Sequence, residues 1–525
     1  MKKTLFLFGS LFLTIINVNA QLGSNWDWAS ISGMATWGPG RQVIDIATDN
    51  AGNVYAVGRF QGNMTIGGYT VATSGDGSIN YNFDEDAFVV KYNSSGQAQW
   101  LKNYGTNQVA SNQVGQVINV DSAGNVYIGG SGNPNAFLVK YDANGNLLWS
   151  KTDFQLFEIG GINNALDGNI IVQESSGASK NIYKIDSNTG TIIWTVANTG
   201  VGSNSTTTFQ DFVDDSGNIY YTCFGTGAIT VAGQNFSKTQ VTTFIASLDG
   251  NGVKRWVQDI DNVQVQLSYT IDNNGKSYIQ IGGGFGGTFQ GVSTGSSGGN
   301  RYLELDKNGV LTRYLFQSPY KGLFRVKNDA IYGFTTEQEG YAFTLSYGSF
   351  NFYTKTDNTK AFGIVIRYDK TTDAVTWANS FEMKGSAWAS GKLKTIEISP
   401  SNKIIVGGTS GSGVIFGTND FSITSSSGGS VGDLFISQGT QPSLGTELFS
   451  NSTTIVYPNP ATNMIHIKGI QKAKVVIYNI FGQAVLHQKI EEESGIDVSS
   501  LISGNYIIEV ANENGEISKT KLIKI

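Results

Sequence analysis

Histidine and cysteine are almost missing from this chain of 525 residues, which has two of the first and one of the second. Both histidines, His466 and His487, lie towards the C-terminus. The long region before them therefore cannot build a His-containing zinc site or a Ser-His-Asp triad. A lone cysteine, Cys223, permits no intramolecular disulfide, so the chain must fold on packing alone. It sits in Tyr220-Tyr221-Thr222-Cys223-Phe224, a strand-like run where a buried, inert thiol is expected rather than a nucleophile. Proline is scarce at 7 residues, and charged residues make up 14%, against about 25% in an average soluble domain. The net charge of −6 comes without any basic block, which argues against nucleic acid or an anionic membrane surface as partner. No long apolar stripe at helical spacing occurs beyond the N-terminus, so an all-β chain is expected.

The N-terminus has the form of a secretory signal. Lys2 and Lys3 precede an apolar run from Leu5 to Val18, and Val18-Asn19-Ala20 places small residues for cleavage before Gln21. The run is shorter than the roughly 20 residues a bilayer-spanning helix needs. No cysteine follows it, which excludes a lipoprotein.

What the chain has in abundance is glycine, 66 residues, much of it in a repeat. Phe137 to Trp149 reads as a β-hairpin: Phe137, Val139 and Tyr141 alternate onto one face, Asn144-Gly145 allows a tight turn, and Leu147 to Trp149 begins the return strand. The hairpin recurs at Phe88 to Trp100, Tyr183 to Trp194, Phe244 to Trp256 and Ile364 to Trp377. A degenerate copy from Leu303 carries Arg313 and Tyr314 near the tryptophan position. A second marker precedes each hairpin: Asp49 to Tyr55, Asp121 to Tyr127, Asp167 to Ile171, Asp215 to Tyr220, Asp272 to Tyr278, and weaker forms at Asn328 to Tyr332 and Ser401 to Ile405. These seven markers stand 44 to 73 residues apart, a period that points to propeller blades.

Each period holds four strands, and four-stranded blades arranged radially leave only short protected edges. The expected architecture is a seven-bladed β-propeller followed by a small C-terminal β-sandwich. Leu434 to Ser437 looks like a third strand with no tryptophan strand behind it. Trp28 stands as far before Gly52 as Trp100 before Gly124, so Asn25 to Ile31 is expected to supply the missing outer strand and close the ring. Trp28, Trp100, Trp149, Trp194, Trp256 and Trp377 then share one repeat position and are read as anchors buried between blades; a sugar-stacking platform is the alternative. Extra segments at Met64 to Val71, Ala228 to Phe236, Tyr341 to Tyr353 and Val414 to Ile423 read as added hairpins, irregular between blades and therefore carriers of specificity.

The Asp-Ser-Ala-Gly-Asn-Val-Tyr127 marker, with Ala136 to Asp142 and Gly145 to Trp149, resembles the bacterial β-propeller repeat family; Ile182 to Trp194 also resembles a quinoprotein-type blade. The resemblance covers roughly Gln21 to Thr440 and speaks to fold, since propellers host many unrelated activities.

After Gln441 the repeat stops and lysine becomes denser. Short alternating runs from residue 453 onward, with turn signals at Phe481-Gly482 and Asn514-Gly515, read as a small antiparallel sandwich. Tyr457-Pro458-Asn459-Pro460, Val475 to Gln483 with Tyr478 and Gly482, Leu501 to Tyr506 with Gly504, and the closing Lys521-Leu-Ile-Lys-Ile525 resemble the C-terminal sorting domain of the bacterial type IX secretion system. The resemblance implies passage across the outer membrane, removal of this domain near 441–456, and attachment to surface glycolipid or release.

Candidate chemistry is thin. Gly282 to Gly287 has the G-x-G-x-x-G spacing, but the following Thr288-Phe-Gln-Gly-Val-Ser is no amphipathic helix, so dinucleotide binding is not expected. Asp84-Glu85-Asp86, Asp214-Asp215, Asp259 with Asp261, and Glu337 with Glu339 are the carboxylates from which a cation site or glycosidase pair would be drawn; solvated loop charges are the plainer explanation. The layout expected is a signal peptide at 1–20, a propeller at 21–440, a linker at 441–452 and a sorting domain at 453–525, with no cofactor and no metal. The function expected is a monomeric, secreted or surface-held binding or adhesion module for an extracellular glycan or protein, exported through the type IX machinery. The alternative is a secreted carbohydrate-active hydrolase or lyase working through propeller carboxylates. Acidic side chains converging with aromatics at the central funnel would favour the enzyme, and scattered ones the binder.

Overall fold

The computed structural model describes residues 26 to 525, apart from 33–40, 75–84, 107–111, 133–134, 153–157, 176–179, 203–211, 262–265, 283–287, 294–299, 316–317, 319, 321, 329, 338–342, 348–349, 356–360, 385–391, 411–412, 417–418, 423–432, 441–455, 469–471, 480–483, 492–494 and 513–516. The chain divides into two compact units, Met1–Gln441 and Pro442–Ile525. Among the described residues the secondary structure is entirely strand and turn.

In the first unit most strands pair with strands close to them in the chain. Gln42–Thr48, Val54–Gln61, Glu85–Tyr92 and Ala98–Tyr104 form one antiparallel sheet, and the following 40 to 70 residues repeat the pattern. Six four-stranded sheets and one six-stranded sheet result among the described residues between Trp26 and Thr440. This is a β-propeller. The two middle strands of a sheet are its core: Val54, Tyr55, Ala56, Val57, Phe88, Val89 and Val90 are fully buried, because both faces of the sheet meet a neighbour.

The marker motif makes the turn between first and second strands. Asp49 Oδ1 accepts the N–H groups of Ala51 and Asn53, and its Oδ2 accepts the Tyr55 hydroxyl at 2.9 Å. Asp121 with Tyr127, Asp214 with Tyr220, and Asp272 with Tyr278 repeat the bond at 3.1, 2.9 and 2.9 Å. Gly52, Gly124, Gly217 and Gly275 each hold φ between 77° and 81°, which a side chain rarely adopts. The motif is thus a turn lock, with its aspartates spent on backbone and phenol.

The strand Trp26–Ile31 pairs antiparallel with Asp433–Thr440, with Trp28 opposite Gln438, in the sheet that also contains Lys403–Ser410 and Lys392–Ile398. Two of the expected extra hairpins are separate ribbons, Asn63–Ile66 with Tyr69–Ala72 and Phe343–Tyr347 with Phe350–Lys355. The other two differ from the expectation. Ala228 to Phe236 is the far end of one long hairpin, Ile219–Val231 with Gln234–Leu248. Gly413–Phe416 and Asn419–Ser422 leave their own sheet and extend the preceding one by pairing with Val375–Lys384, which makes it six-stranded.

The second unit holds a three-stranded sheet, Val456–Tyr457, Met464–Ile467 and Ile496–Asp497, and a four-stranded one, in the order Ala484–Glu491, Lys472–Asn479, Gly504–Asn512, Ile517–Lys524. Ile465, Val475, Ile477, Ile496, Ile508, Val510 and Leu522 share one core.

Candidate functional site

Every sheet of the first unit begins with a strand that lies at its end, so one edge of that strand has no partner within the sheet. Gln42–Thr48, Val114–Val120 and Ile159–Asn164 follow one another as neighbours, and Lys392–Ile398 adjoins Gln42–Thr48 from the other side. Together with Leu323–Lys327 they wall a cavity of about 440 Å³. Its polar lining comes from Asp45, Thr48, Asn50, Asn119, Asn163, Arg325, Lys327, Asn328, Glu397 and Ser399; no aromatic is among the described residues lining it. Asn50, Asn328 and Ser399 belong to turns between first and second strands, so the cavity lies towards that end of the sheets. The added ribbons join second and third strands and emerge at the opposite end.

Local geometry explains why polar side chains meet here. Residues Asn119, Asn163, Arg325 and Glu397 pair with Tyr127, Ile171, Tyr332 and Ile405, which hold one position in the repeat, so the four form a single layer. A register irregularity precedes this layer at Val43/Asp45, Gly115/Val117, Ile159/Gly161, Gln266/Ser268 and Leu393/Thr395. Such bulges re-aim the next side chain. Asp45 Oδ2 accordingly accepts the Ile118 N–H at 3.0 Å on the free edge of the neighbouring sheet. Ser268, at the equivalent place, accepts the Phe324 N–H at 3.2 Å and donates to the Phe324 carbonyl at 3.0 Å. Asn163 Oδ1 accepts the Phe212 and Val213 N–H groups at 2.8 and 3.2 Å. Arg325 and Glu397 form a buried ion pair between adjacent sheets. Asn119 donates to Asn164 Oδ1 at 2.7 Å, and Asn328 to Asn402 Oδ1 at 2.7 Å.

Among the described residues, none of the carboxylates singled out in the sequence lines this cavity. Glu85 is paired with Arg59 at 2.9 Å, and Asp86 Oδ2 takes the Ser74 N–H and hydroxyl at 2.9 Å and Asn103 Nδ2 at 3.0 Å. Asp214 locks its turn, while Asp215 is exposed. Asp259 and Asp261 do converge, on the ammonium of Lys238, and hydrogen bonding to that ammonium holds the Asp261 carboxyl below its ordinary range. Glu337 ends the strand Ala330–Glu337; Asp84 and Glu339 lie outside the described residues. Of the glycine run, 283–287 also lies outside them, and Thr288–Phe289 pairs with Val292–Ser293 in a small hairpin, so no helix follows. Among the described residues no three His, Cys, Asp or Glu side chains are grouped to hold a metal ion.

The repeated tryptophans meet neighbouring sheets, but they are not all buried. Trp100 and Trp377 are buried, but Trp28, Trp149, Trp194 and Trp256 are only partly so. They pack against the glycine of the neighbouring sheet's hairpin turn, leaving part of the indole at the surface: Trp100 on Gly145, Trp149 on Gly190, Trp194 on Gly252 and Trp256 on Gly309. Trp100, Trp149 and Trp256 also donate their indole N–H to carbonyls of those turns, Ala143, Ser187 and Lys307, at 3.2, 3.1 and 2.9 Å. At the degenerate repeat Arg313 takes the tryptophan's register position opposite Glu304 and pairs with Asp373 in the next hairpin turn.

Cys223 is buried, and burial pushes its thiol up to about 12. It lies near the buried Lys180, which in turn lies near the buried Glu174; burial raises Glu174 to about 7 and lowers Lys180 to about 8, with Lys180 Nζ donating to the Thr222 carbonyl at 2.6 Å.

In the second unit the two ends of the sorting motif meet. Asn459 Nδ2 donates to the Lys521 carbonyl at 2.6 Å and its Oδ1 accepts the Ile523 N–H at 2.8 Å. The peptides before Pro458 and Pro460 are cis. Tyr457 stacks on His466, Tyr478 lies in Lys472–Asn479 opposite Ala484, and Tyr506, two residues after Gly504, donates to the Ile502 carbonyl at 2.7 Å. His487 lies in Ala484–Glu491 opposite Val476; Gly482 lies outside the described residues.

Comparison with known proteins assigns this second unit. Residues 455–524 match the secretion system C-terminal sorting domain. Beta-agarase D of Zobellia galactanivorans is 37% identical over 68 residues, 13% of this chain and 14% of that protein, so the chain matches only a small part of that relative. Among solved structures, PorZ, described as an essential bacterial surface component of the type-IX secretion system of Porphyromonas gingivalis, aligns at 11% identity and a TM-score of 0.38 over 92% of this chain and 59% of that one. The Dos1 propeller gives 10% and 0.38 over 79% and 95%, and the polysaccharide lyase Uly1 gives 8% and 0.38 over 78% and 91%. The chain is a β-propeller protein with a type IX sorting tail, exported by that route to the cell surface or the extracellular space.

Proposed function

We propose that the exported propeller is a binding or adhesion module for an extracellular glycan or protein, carried on a seven-bladed ring that its N-terminal strand closes. The seven sheets between Trp26 and Thr440 and the pairing of Trp26–Ile31 with Asp433–Thr440 support the ring. A monomer of this kind has a signal peptide at 1–20, a propeller at 21–440, a linker at 441–452 and a sandwich-like sorting domain at 453–525. Its partners are the type IX machinery, met through the tail, and one extracellular ligand. The sorting residues are Tyr457, Pro458, Asn459, Pro460, Tyr478, Gly482, Gly504, Tyr506 and Lys521.

One observation carries the preference for binding over catalysis. General acid–base cleavage of a glycosidic bond needs two carboxyl groups about 5 to 10 Å apart across the substrate. The acidic groups of the central cavity are instead committed, Asp45 to a backbone N–H and Glu397 to Arg325. A glycan array and a hydrolysis screen on the secreted protein test this reading. Retention of ligand without turnover is the expected result, and bond cleavage that survives purification would establish the hydrolase or lyase instead.

A further inference from the structure

We infer that the central cavity is the ligand site and that it takes one or two sugar units of a neutral glycan, held by amide hydrogen bonds rather than by ring stacking. This rests on the binding-module reading above and adds a place and a chemical class to it.

Charge removes most alternatives. Asp45 and Glu397 are balanced by Arg325 and Lys327 in the lining, so the cavity is formally neutral. An anion entering it meets two carboxylates, and a cation meets a guanidinium and an ammonium, in a setting where water screens them poorly. Apolar ligands find a wall that is mostly polar, and stripping water from its amides without replacing their hydrogen bonds is costly. A neutral ligand that both donates and accepts is left.

The free strand edges then separate sugar from peptide. An extended peptide binds a sheet by adding main-chain hydrogen bonds to an open edge. Here the inward edges are already capped from the neighbouring sheet: Ile118 by Asp45, Phe212 and Val213 by Asn163, and Phe324 by Ser268. A peptide backbone finds those partners taken. Side-chain amides remain at the mouth. Asn119 is half-buried and spends one N–H on Asn164, and Asn50 is exposed. An amide offers a donor and an acceptor side by side, which matches a vicinal diol. About 440 Å³ is near the lower end of the range of about 300–1,000 Å³ for small-ligand sites, room for one or two sugar rings. Without an aromatic platform the sugar is gripped by its edge.

The test uses the full secreted protein on an array of neutral, uronate-bearing and sulfated oligosaccharides and extended peptides, with two variants. Neutral glycans alone should bind, and Asn119→Leu should weaken that binding by about tenfold or more, the loss expected when a hydrogen-bonding partner of the ligand is removed, with little change in melting. Glu397→Gln leaves the Arg325 charge uncompensated and should admit uronate-bearing chains. Should that variant fail to fold, Asn119→Leu decides alone. Neutral-glycan binding untouched by Asn119→Leu would move the site elsewhere while leaving the binding module standing. Selective capture of acidic chains or peptides by the unaltered protein would overturn the neutral class, and silence towards every probe would overturn both readings.

Discussion

Trp28 of the N-terminal strand lies against Gly96, in the hairpin turn of the sheet that follows it in the chain: a Cβ on Gly96 would stand 2.3 Å from the indole Cδ2. The same contact joins Trp100 to Gly145, Trp149 to Gly190, Trp194 to Gly252 and Trp256 to Gly309. The first tryptophan of the series therefore comes from one terminus and belongs to a sheet whose other strands come from Lys392–Thr440. Sheet-to-sheet packing at the rim is a relay of one indole on one glycine.

Gly96→Ala should be far more harmful than Gly62→Ala, although both glycines hold positive φ, 79° and 70°. At Gly62 an added methyl meets nothing within 4 Å, so only the backbone penalty of about 1–2 kcal/mol applies. At Gly96 the methyl also displaces Trp28, which brings the expected loss to about 3 kcal/mol or more. Chemical denaturation of the two variants checks the ranking; equal losses would mean the indole has room to move.

Deleting the chain through Ile31 should leave Asp433–Thr440 as an open edge and give aggregation rather than a modest fall in stability. That strand runs from buried Asp433 to Gly439 and would present unpaired backbone along its length. Light scattering of the truncated protein reads the outcome; a monodisperse product would show that the edge is protected in some other way.

Where the relay loses its tryptophan, an ion pair replaces it. Arg313 Nη1 donates to Asp373 Oδ1 at 3.0 Å, and Tyr320 donates to the same oxygen at 2.6 Å. Asp373→Ala should cost about 3 kcal/mol, because it leaves a partly buried guanidinium and a buried phenol without their shared acceptor. Arg313→Trp should not rescue it as a relay contact, since the double variant would carry alanine rather than glycine at this positive-φ turn position. Melting of the single and double variants measures the coupling.

Glu174 makes stability depend on pH in a direction opposite to that of a salt-bridged carboxylate. Its folded value of about 7 exceeds its ordinary 4.5 because burial disfavours the charge. Between those values the native protein holds a proton that the unfolded chain has released, so this group's contribution is present below about 4.5 and is lost as pH rises to about 7. Glu174→Gln should remove that decline and raise Tm at pH 7.5 by about 2–4 °C. A melting series from pH 4.5 to 8 on both proteins checks the sign; parallel curves would refute it.

Much of the strand pattern was legible in the sequence. The period-two alternation of Phe137 to Tyr141 and the Asn-Gly turn foretell the strands Phe137–Tyr141 and Leu147–Lys151, because hairpins are written in neighbouring residues. The cavity was not legible. Asp45, Asn119, Asn163, Arg325 and Glu397 come from five sheets, and a polar residue in an otherwise apolar first strand reads as an ordinary solvent-facing position. The common spacing of Asn119 to Tyr127, Asn163 to Ile171 and Glu397 to Ile405 was the one signal available, and Asp45 and Arg325 do not share it. The candidate carboxylates failed as site markers for a related reason: an acidic pair such as Asp259 and Asp261 looks reactive in sequence until Lys238, from another strand, is seen between them.

The sequence by itself determined the repeat, the four strands in each period, the exported destination and the tail motif, since each is set by residues close together in the chain. Tertiary structure alone decided which side chains face one another across sheets: Trp28 on Gly96, Arg325 on Glu397, Asp45 on the Ile118 amide, Asn459 on the closing strand. Local chemistry fixes turns and strands, but pairing across hundreds of residues depends on how the bulges and register aim each side chain once the sheets have packed.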